Sequence, residues 1–333
     1  MGSLVISNNN RLYNRALKRE INVWRSNNNE ADLDTVEFLK QNIFYKDIEI
    51  EITRNRDWLD FISLLGNFNK GLILGGGNAK FETYLLNRGI VKTFENLDIL
   101  FKKGQTDKKL NLFADLNFVT LKENTYDIII AKSILHHIIN LEHLLTQVNR
   151  ALKQDGIFVL LEYIGESKQQ WRNDKIVFIN DLLKKSNLEI SQGVYDNSVP
   201  FESIRSEEIP GIIDQIFSGS KIIEHRWDYV YTSAKVGLYH HQLRNKIVQK
   251  DDVLATIEDT IKDSEKDAIR QNLLPTNMFG VYKKNNNNFL PEVEKWDKNK
   301  IKKELELNFE KLSFSLFKKI KIIIRDYYNS IFT

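Results

Sequence analysis

The chain has 333 residues, of which 42% are hydrophobic and 28% are charged, the balance of an ordinary globular protein. A net charge of +3 gives no global attraction to nucleic acid, so we expect no nucleic-acid partner, and the lack of cysteine excludes disulfides and thiolate chemistry. No apolar run reaches membrane-spanning length, and the polar run from Asn8 to Arg11 interrupts any leader-like segment, which favours a cytoplasmic protein.

The first 69 residues are polar and mostly helical by pattern. Tyr13, Leu17, Ile21 and Trp24 recur at the spacing of one helix face. We interpret residues 1–69 as an N-terminal helical cap, and plain packing of this face against the core is the simplest role for each of its apolar residues.

A glycine turn follows the first apolar strand. Gly75 and Gly77 stand where a strand gives way to a helix, which is where backbone must approach a ligand closely. The dinucleotide fingerprint needs a third glycine three residues after Gly77, but Lys80 stands there. The small residue Ala79 stands two residues after Gly77. Taken alone, the turn is as compatible with a simple strand-to-helix link as with a binding site.

Strands and helices alternate from this turn onwards. This order predicts an α/β fold with a doubly wound, mostly parallel sheet in a domain of residues 70–284. Asp155 and Gly156 predict a turn into the fifth strand. The predicted strands are 71–74, 93–98, 111–115, 126–131, 156–163, 221–227 and 279–283, and the predicted helices are 79–88, 141–152 and 173–185.

Two aspartates end consecutive strands after the glycine turn. Asp98 lies where a carboxylate can accept two hydrogen bonds from a ribose diol, and Ile99 after it could pack on a base. Asp115 ends the next strand in the same way. A lone aspartate is usually a cap or a loop residue, but two in this order favour a nucleoside-binding crevice.

The whole arrangement resembles the class I S-adenosylmethionine-dependent methyltransferases over about residues 10–284. The resemblance implies a Rossmann-like sheet with an antiparallel last strand, a preceding segment over the cofactor mouth, and S-adenosylmethionine as the cofactor. Ile73 departs from the pattern, because the family usually has an acid two residues before the first glycine. The cofactor-binding residues implied by the resemblance are Gly75, Gly77, Ala79, Asp98, Ile99, Asp115, Leu116 and Ala131.

Two consecutive histidines follow the fourth strand, whose end faces the transferred methyl group in the resembled fold. Histidine titrates near neutrality, so His136 or His137 could remove a proton from an acceptor hydroxyl, although either could also be structural. Glu162, at the end of the fifth strand, is a second candidate base. A narrower resemblance, to methyltransferases found with bacterial surface-glycan and nucleotide-sugar genes, implies a small sugar acceptor. The residues implied to contact it or its phosphate are Tyr163, Trp171 and Arg205.

Two other functions stay open at this stage. One is a nucleotide-sugar oxidoreductase on the same topology, and the other is a non-catalytic relative that serves as an assembly partner. His240 and His241 are adjacent but have no third ligand at a suitable spacing, so the sequence predicts no metal site.

The C-terminal part is separate in pattern. Asparagines and Pro291 mark a linker over residues 285–299, and residues 300–333 form an amphipathic helix with lysines and Arg325 near its end. This helix could lie on the inner membrane face as a peripheral contact, mediate self-association, or pack on its own domain. Packing is the interpretation that apolar stripes in globular chains usually support.

Overall fold

A computed structural model gives the architecture of most of the chain. It describes residues 11–29, 58–77, 80–101, 104–105, 108–169, 172–184, 199–230 and 263–284, with residues 296, 299–301, 303 and 305. Within these ranges no helix has both the length and the apolar character that crossing a bilayer requires.

Eight strands form one sheet in the described residues, in the order β3-β4-β2-β1-β5-β6-β8-β7. The strands β1, β2, β4, β5 and β6 are parallel, whereas β8 is antiparallel to both of its neighbours. The strands are β1 (Phe68–Leu74), β2 (Val91–Asp98), β3 (Gly104–Gln105), β4 (Lys109–Phe113), β5 (Tyr126–Lys132), β6 (Leu152–Tyr163), β7 (Lys221–Asp228) and β8 (Asn277–Lys283).

Helices connect these strands, and several of their bounds agree with the sequence prediction to within a residue. They are α1 (Arg11–Asn29), α2 (Trp58–Leu64), α3 (Lys80–Asn87), α4 (Leu141–Ala151), α5 (Asn173–Lys184) and α6 (Ile209–Ile216). A short 3-10 turn (Leu135–His137) follows β5. The prediction of a doubly wound, Rossmann-like sheet with an antiparallel last strand is confirmed.

The start of β6 differs from the prediction. The turn expected at Asp155 and Gly156 lies inside β6, which begins at Leu152. Tyr126 pairs with Leu152, and the register then shifts before Ile128 pairs with Ile157. The extra residues of this irregularity carry the glycine, which is why a turn-like dipeptide stands within a strand.

The central strands are buried on both faces, which explains their nearly continuous apolar sequence. Leu72, Leu74 and Ile129 belong to the core on one face of the sheet, whereas Ile73 and Ile128 belong to the core on the other. Successive residues of β1 therefore point into opposite cores up to its carboxyl end. The glycine turn that follows lies at the edge of the sheet.

Helix α1 packs near the carboxyl ends of the strands. Tyr13 and Leu17 share a buried cluster with Phe201, and Ile301 and Leu305 from the C-terminal segment complete it. The first apolar positions of that segment are therefore buried in the protein. The remainder of the predicted C-terminal helix and most of the linker lie outside the described residues.

Candidate active site

A cavity of about 300 Å³ opens at the carboxyl ends of the parallel strands. Ligands bind in this crevice in open α/β sheets, where neighbouring connections leave in opposite directions. The glycine turn after β1, Asp98 at the end of β2, and Asp115 after β4 all line it. Residues of α1 line the same cavity, so the N-terminal helix covers one side of the crevice.

The glycine turn uses a different property at each position. Gly75 and Gly77 have positive φ angles of 66° and 52°, which glycine adopts without strain. A Cβ atom on Gly76 would lie 2.2 Å from Oδ1 of Asn96, whereas one on Gly77 would meet nothing within 4 Å. The space beside Gly77 is therefore open for a ligand. Ala79, the next predicted contact, lies outside the described residues.

Asp98 closes one side of the turn. Its Oδ2 accepts a hydrogen bond from the Gly77 N–H at 2.9 Å, and its Oδ1 accepts one from the Leu100 N–H at 2.7 Å. Burial raises the pKa of Asp98, and these two amide donors offset part of the rise. Ile99 lines the cavity beside it, and its packing on a base stays a prediction.

Asp115 is held by a buried network. The Tyr13 hydroxyl donates to Oδ2 at 2.8 Å, and the Asn117 N–H donates to Oδ1 at 3.1 Å. Burial raises the pKa of Asp115, and the hydrogen bond from Tyr13 lowers it again in part. Leu116 lines the cavity, and its contact with a cofactor stays a prediction. Ala131 is fully buried within β5, and the residues that follow it form the cavity wall.

The acidic residue that the resembled family usually has two residues before the first glycine is absent from that position, where Ile73 stands. Ile73 is fully buried in the core on the far face of the sheet. Among the described residues that line the cavity, the carboxylates are Glu20, Asp98 and Asp115. Glu20 comes from α1, so the cap brings an acid into the crevice that the strand itself does not supply.

His136 and Glu162 form a buried pair at this edge of the sheet. Nδ1 of His136 contacts Oε1 of Glu162, whose other oxygen accepts hydrogen bonds from the Ile134 and Leu135 N–H groups at 2.8 and 2.7 Å. Glu162 is 1% exposed and does not line the cavity. Glu162 therefore holds the His136 ring in place. The outer ring nitrogen Nε2 lies 3.6 Å from Oε1 of Glu202.

His137 lines the cavity and lies among carboxylates. Its Nδ1 is 3.1 Å from Oε1 of Glu20, and its Nε2 is 3.6 Å from Oε2 of Glu202. Burial alone would lower the pKa of His137, but Glu202 and Glu20 raise it to about 9. The His137 ring is therefore protonated at neutral pH in the absence of another bound cation, and a protonated ring cannot act as the base.

The predicted acceptor contacts are dispersed. Tyr163 lies edge-on to His136, with ring centroids 6.0 Å apart. Arg205 is buried and forms forked contacts with Glu142 at 2.7 and 2.8 Å and with Glu208 at 2.6 and 2.9 Å, away from the cavity lining. Trp171 lies outside the described residues, as do His240 and His241.

Glu20 and Glu202 are the site residues that sequence reasoning did not identify. Glu202 is 3.6 Å from Nε2 of both His136 and His137, and the three side chains form a group able to hold a metal ion. Nothing in the spacing along the chain signals this group, because Glu202 follows the histidines by more than sixty residues. The family resemblance alone predicted that a segment before the glycine turn lies near the crevice, and it named neither residue.

A family model for a methyltransferase domain matches residues 48–192. This range contains the glycine turn, both aspartates, the two histidines and Glu162. The prediction of a class I methyltransferase domain is therefore confirmed for this part of the chain, whereas the narrower resemblance to glycan-associated enzymes stays a prediction.

Curated relatives share shorter stretches. The chain is 31% identical over 111 residues to "Arginine-hydroxylase NDUFAF5, mitochondrial" of Homo sapiens, covering 32% of each protein. It is 26% identical over 166 residues to the Mus musculus protein of the same name, covering 48% of this chain and 45% of that protein. The chain thus spans about a third to a half of the length of these relatives.

Solved methyltransferase structures are similar to the chain at low identity. A geranyl diphosphate methyltransferase in complex with GPP and sinefungin is 9% identical, with a TM-score of 0.40, and covers 68% of this chain and 76% of its own. An S-adenosylmethionine-dependent methyltransferase from Mesorhizobium loti is 13% identical, with a TM-score of 0.37, covering 68% and 95%. The fold assignment given above rests on the strand order of this chain itself.

Proposed function

We propose that this protein transfers a methyl group from S-adenosylmethionine to a hydroxyl of a small polar acceptor. The observation that carries the proposal is that the glycine turn, Asp98 and Asp115 line one crevice together with His137. The methyltransferase-domain match over residues 48–192 supports the same reaction class.

The residues present fit the cofactor. The open space beside Gly77 admits a ligand against the backbone, Asp98 offers a carboxylate for a ribose diol, and Asp115 offers one for an adenine amino group. S-adenosylmethionine, when bound, supplies an electrophilic methyl group on a sulfonium. Asp98 would accept hydrogen bonds from the ribose hydroxyls, and its Oδ2 otherwise accepts one from the Gly77 N–H.

The acceptor hydroxyl must lose a proton, because an alcohol is a weak nucleophile. We assign this step to His136, which does not itself line the cavity but adjoins His137, which does. Glu162 engages Nδ1 of His136, so that in the neutral ring Nε2 is the basic atom. His137 carries a positive charge that Glu20 and Glu202 compensate, so we assign it no role in removing the acceptor's proton. Methyl transfer is an in-line displacement, so holding both reactants in this crevice supplies much of the rate enhancement.

The acceptor class rests on the sequence resemblance alone. A sugar hydroxyl, nucleotide-linked or in a glycan, is the acceptor that this resemblance favours. Arg205, which was predicted to bind its phosphate, is occupied by two carboxylates, so we assign substrate contact to Tyr163 and leave Arg205 out of the proposed acceptor site. Tyr163 faces His136 from β6.

Calorimetric titration of S-adenosylhomocysteine into the purified protein tests the proposal. We expect micromolar binding that weakens at least about tenfold in Asp98→Ala, since a lost hydrogen bond to a charged group is worth about 1.5–3 kcal/mol. Asp127→Ala is the matched control, because Asp127 stands at the opposite end of β5, where it pairs with Lys153.

Each other result identifies a rival function. Tight NADH binding without S-adenosylhomocysteine binding would establish the oxidoreductase instead. Binding of neither cofactor would leave the non-catalytic assembly partner as the function to pursue.

A second candidate function is hydroxylation of an arginine side chain. Two observations favour it: the relatives named above are called arginine-hydroxylases, and His136, His137 and Glu202 form the donor set of non-haem iron oxygenases. Insertion of one oxygen atom into a C–H bond would require dioxygen and a two-electron reductant, with the second oxygen leaving as water. Mass spectrometry of an arginine peptide incubated with the protein separates an added oxygen from an added CH₂ group.

A further inference from the structure

The two histidines after β5 point their outer nitrogens at one carboxylate. Nε2 of His136 is 3.6 Å from Oε1 of Glu202, and Nε2 of His137 is 3.6 Å from Oε2. One ligand atom from each of the three residues lies within 4.8 Å of those of the other two. Ligands around a tetrahedral zinc ion at bond lengths of about 2.0–2.2 Å stand roughly 3.4 Å apart, so this spacing already approaches that of a metal site.

A carboxylate lies behind each ring, as is usual for metal-binding histidines. Nδ1 of His136 contacts Glu162, and Nδ1 of His137 is 3.1 Å from Glu20. Glu162 bonds to Nδ1 of His136, which fixes that ring and strengthens its Nε2 as a ligand. Glu20 lies close behind the His137 ring, but Nδ1 of His137 makes no hydrogen bond among the described residues. Two such pairs come from different elements, β6 and α1, and both direct Nε2 towards Glu202.

The supporting carboxylates are firmly placed. Glu162 accepts backbone hydrogen bonds from Ile134 and Leu135, and Glu20 accepts one from the Trp24 indole at 2.9 Å and one from the Phe201 N–H at 3.2 Å. The last of these bonds joins α1 to the residue directly before Glu202. The ligands and their supports therefore form one connected network.

The charges of the cluster also suit a cation. The side chains of Glu20, Glu162 and Glu202 are 2%, 0% and 13% exposed, and each lies within ion-pair distance of an imidazole. Buried carboxylates need positive partners, since desolvation of an uncompensated charge is expensive. A dication bound by neutral imidazoles supplies as much positive charge as a proton on each ring.

We propose that His136, His137 and Glu202 bind one divalent transition-metal ion beside the cofactor cavity, which His137 lines. Two imidazoles with one carboxylate suit Zn²⁺ or Fe²⁺ rather than Mg²⁺ or Ca²⁺, which prefer oxygen ligands. Three protein ligands leave a coordination position for a substrate oxygen.

The metal changes how the acceptor's proton is lost. A hydroxyl bound to the metal would become more acidic and would release its proton to solvent water, so that His136, then a ligand, would not be needed as the base. This role in methyl transfer rests on the proposed function, whereas metal binding itself does not.

Titration of Co²⁺ into tag-free, chelator-treated full-length protein tests the site. We expect one equivalent to bind and to give the intense visible absorption of low-coordinate Co²⁺. Glu202→Gln keeps the size of the side chain but removes its charge, and we expect it to weaken binding at least about tenfold, as even outer-shell changes do by 10–100-fold. His137→Ala should abolish the absorption band.

His225→Ala is the matched control, since His225 lies on β7, beyond β6 and β8 from the cluster. If Co²⁺ does not bind, or binds equally well in Glu202→Gln and His137→Ala, the proposal is overturned. S-adenosylhomocysteine titration of the parent protein tests the proposed function. Binding that is retained by the variants shows that they are folded. Cofactor binding without metal binding refutes only the metal site, and metal binding without cofactor binding refutes only the methyltransferase.

Discussion

Glu162 holds His136 from the neighbouring strand, with its carboxylate against Nδ1 of the ring. The pairing is possible because β5 and β6 are parallel neighbours, so the end of β6 lies beside the turn that follows β5. The same carboxylate accepts N–H groups from that turn. Glu162 was predicted as a second base, but its buried position and these bonds make it a positioning residue in our proposal.

Replacing Glu162 by Gln should affect both stability and turnover. The amide cannot accept all of the hydrogen bonds that the carboxylate accepts, and we expect the free energy of unfolding to fall by about 1.5–3 kcal/mol. Turnover should fall by about 10–100-fold as His136 loses its orientation. Urea unfolding and methyl-transfer assays measure the two effects.

Glu123→Gln is the control, because Glu123 is exposed in the loop before β5. It should change the free energy of unfolding by less than about 0.5 kcal/mol. Unchanged turnover in folded Glu162→Gln would contradict the positioning role.

The sequence predicted the sheet well because its signals are local. Apolar strands, a glycine turn and strand-end aspartates each occupy a few consecutive residues, and the parallel topology places their ends at one edge. Glu20 and Glu202 could not be predicted in the same way, since they reach the histidines from α1 and from a distant loop. Arg205 was predicted to bind a phosphate because of its residue type, but it pairs with Glu142 instead. This pairing joins residues that are far apart in the sequence, so a local pattern does not reveal it.

Substitutions at two glycines of the turn should affect cofactor binding and stability to different extents. Gly77→Ala adds a Cβ to open space at φ 52°, so we expect a loss of stability of only about 1–2 kcal/mol. The added methyl group occupies space proposed for the cofactor, and S-adenosylhomocysteine affinity should fall more than tenfold. Gly76→Ala, in contrast, meets Asn96 at 2.2 Å and should destabilise the fold itself more strongly. Thermal unfolding and calorimetry distinguish the two variants.

Arg205 should prove structural. Its guanidinium is 3% exposed, bridges Glu142 and Glu208, and donates to the Ile139 carbonyl at 2.6 Å. Arg205→Ala leaves Glu142 buried without its partner, so we expect a loss of about 3–5 kcal/mol in the free energy of unfolding.

Glu208→Gln serves as the matched control for Arg205→Ala, since the Glu208 side chain is 48% exposed and surface pairs are worth about 0–1 kcal/mol. A large rise in acceptor KM at unchanged stability in Arg205→Lys would instead restore the phosphate-binding role that the sequence predicted.

The buried pair Glu82 and Asn96 beneath the glycine turn should make stability depend on pH. Asn96 donates to Oε1 of Glu82 at 2.5 Å, while Oε2 of Glu82 and Oδ1 of Asn96 have no hydrogen-bond partner among the described residues. Burial raises the pKa of Glu82. The folded state therefore binds a proton more readily than the unfolded chain, where the pKa is about 4.3.

The sign of the effect follows from this linkage. Stability contributed by Glu82 should increase as pH falls through the raised pKa towards about 4.3, because the folded state takes up the proton first. Glu82→Gln supplies a permanent N–H donor beside the unpartnered Asn96 oxygen, so it should stabilise the protein at neutral pH by about 1–3 kcal/mol and flatten this part of the pH profile. Urea unfolding of both proteins between pH 4.5 and pH 8, roughly the range over which a raised carboxyl pKa titrates, measures it. A variant that is less stable than the parent at neutral pH, with the pH profile unchanged, would show that the Glu82 carboxylate is needed in its charged form.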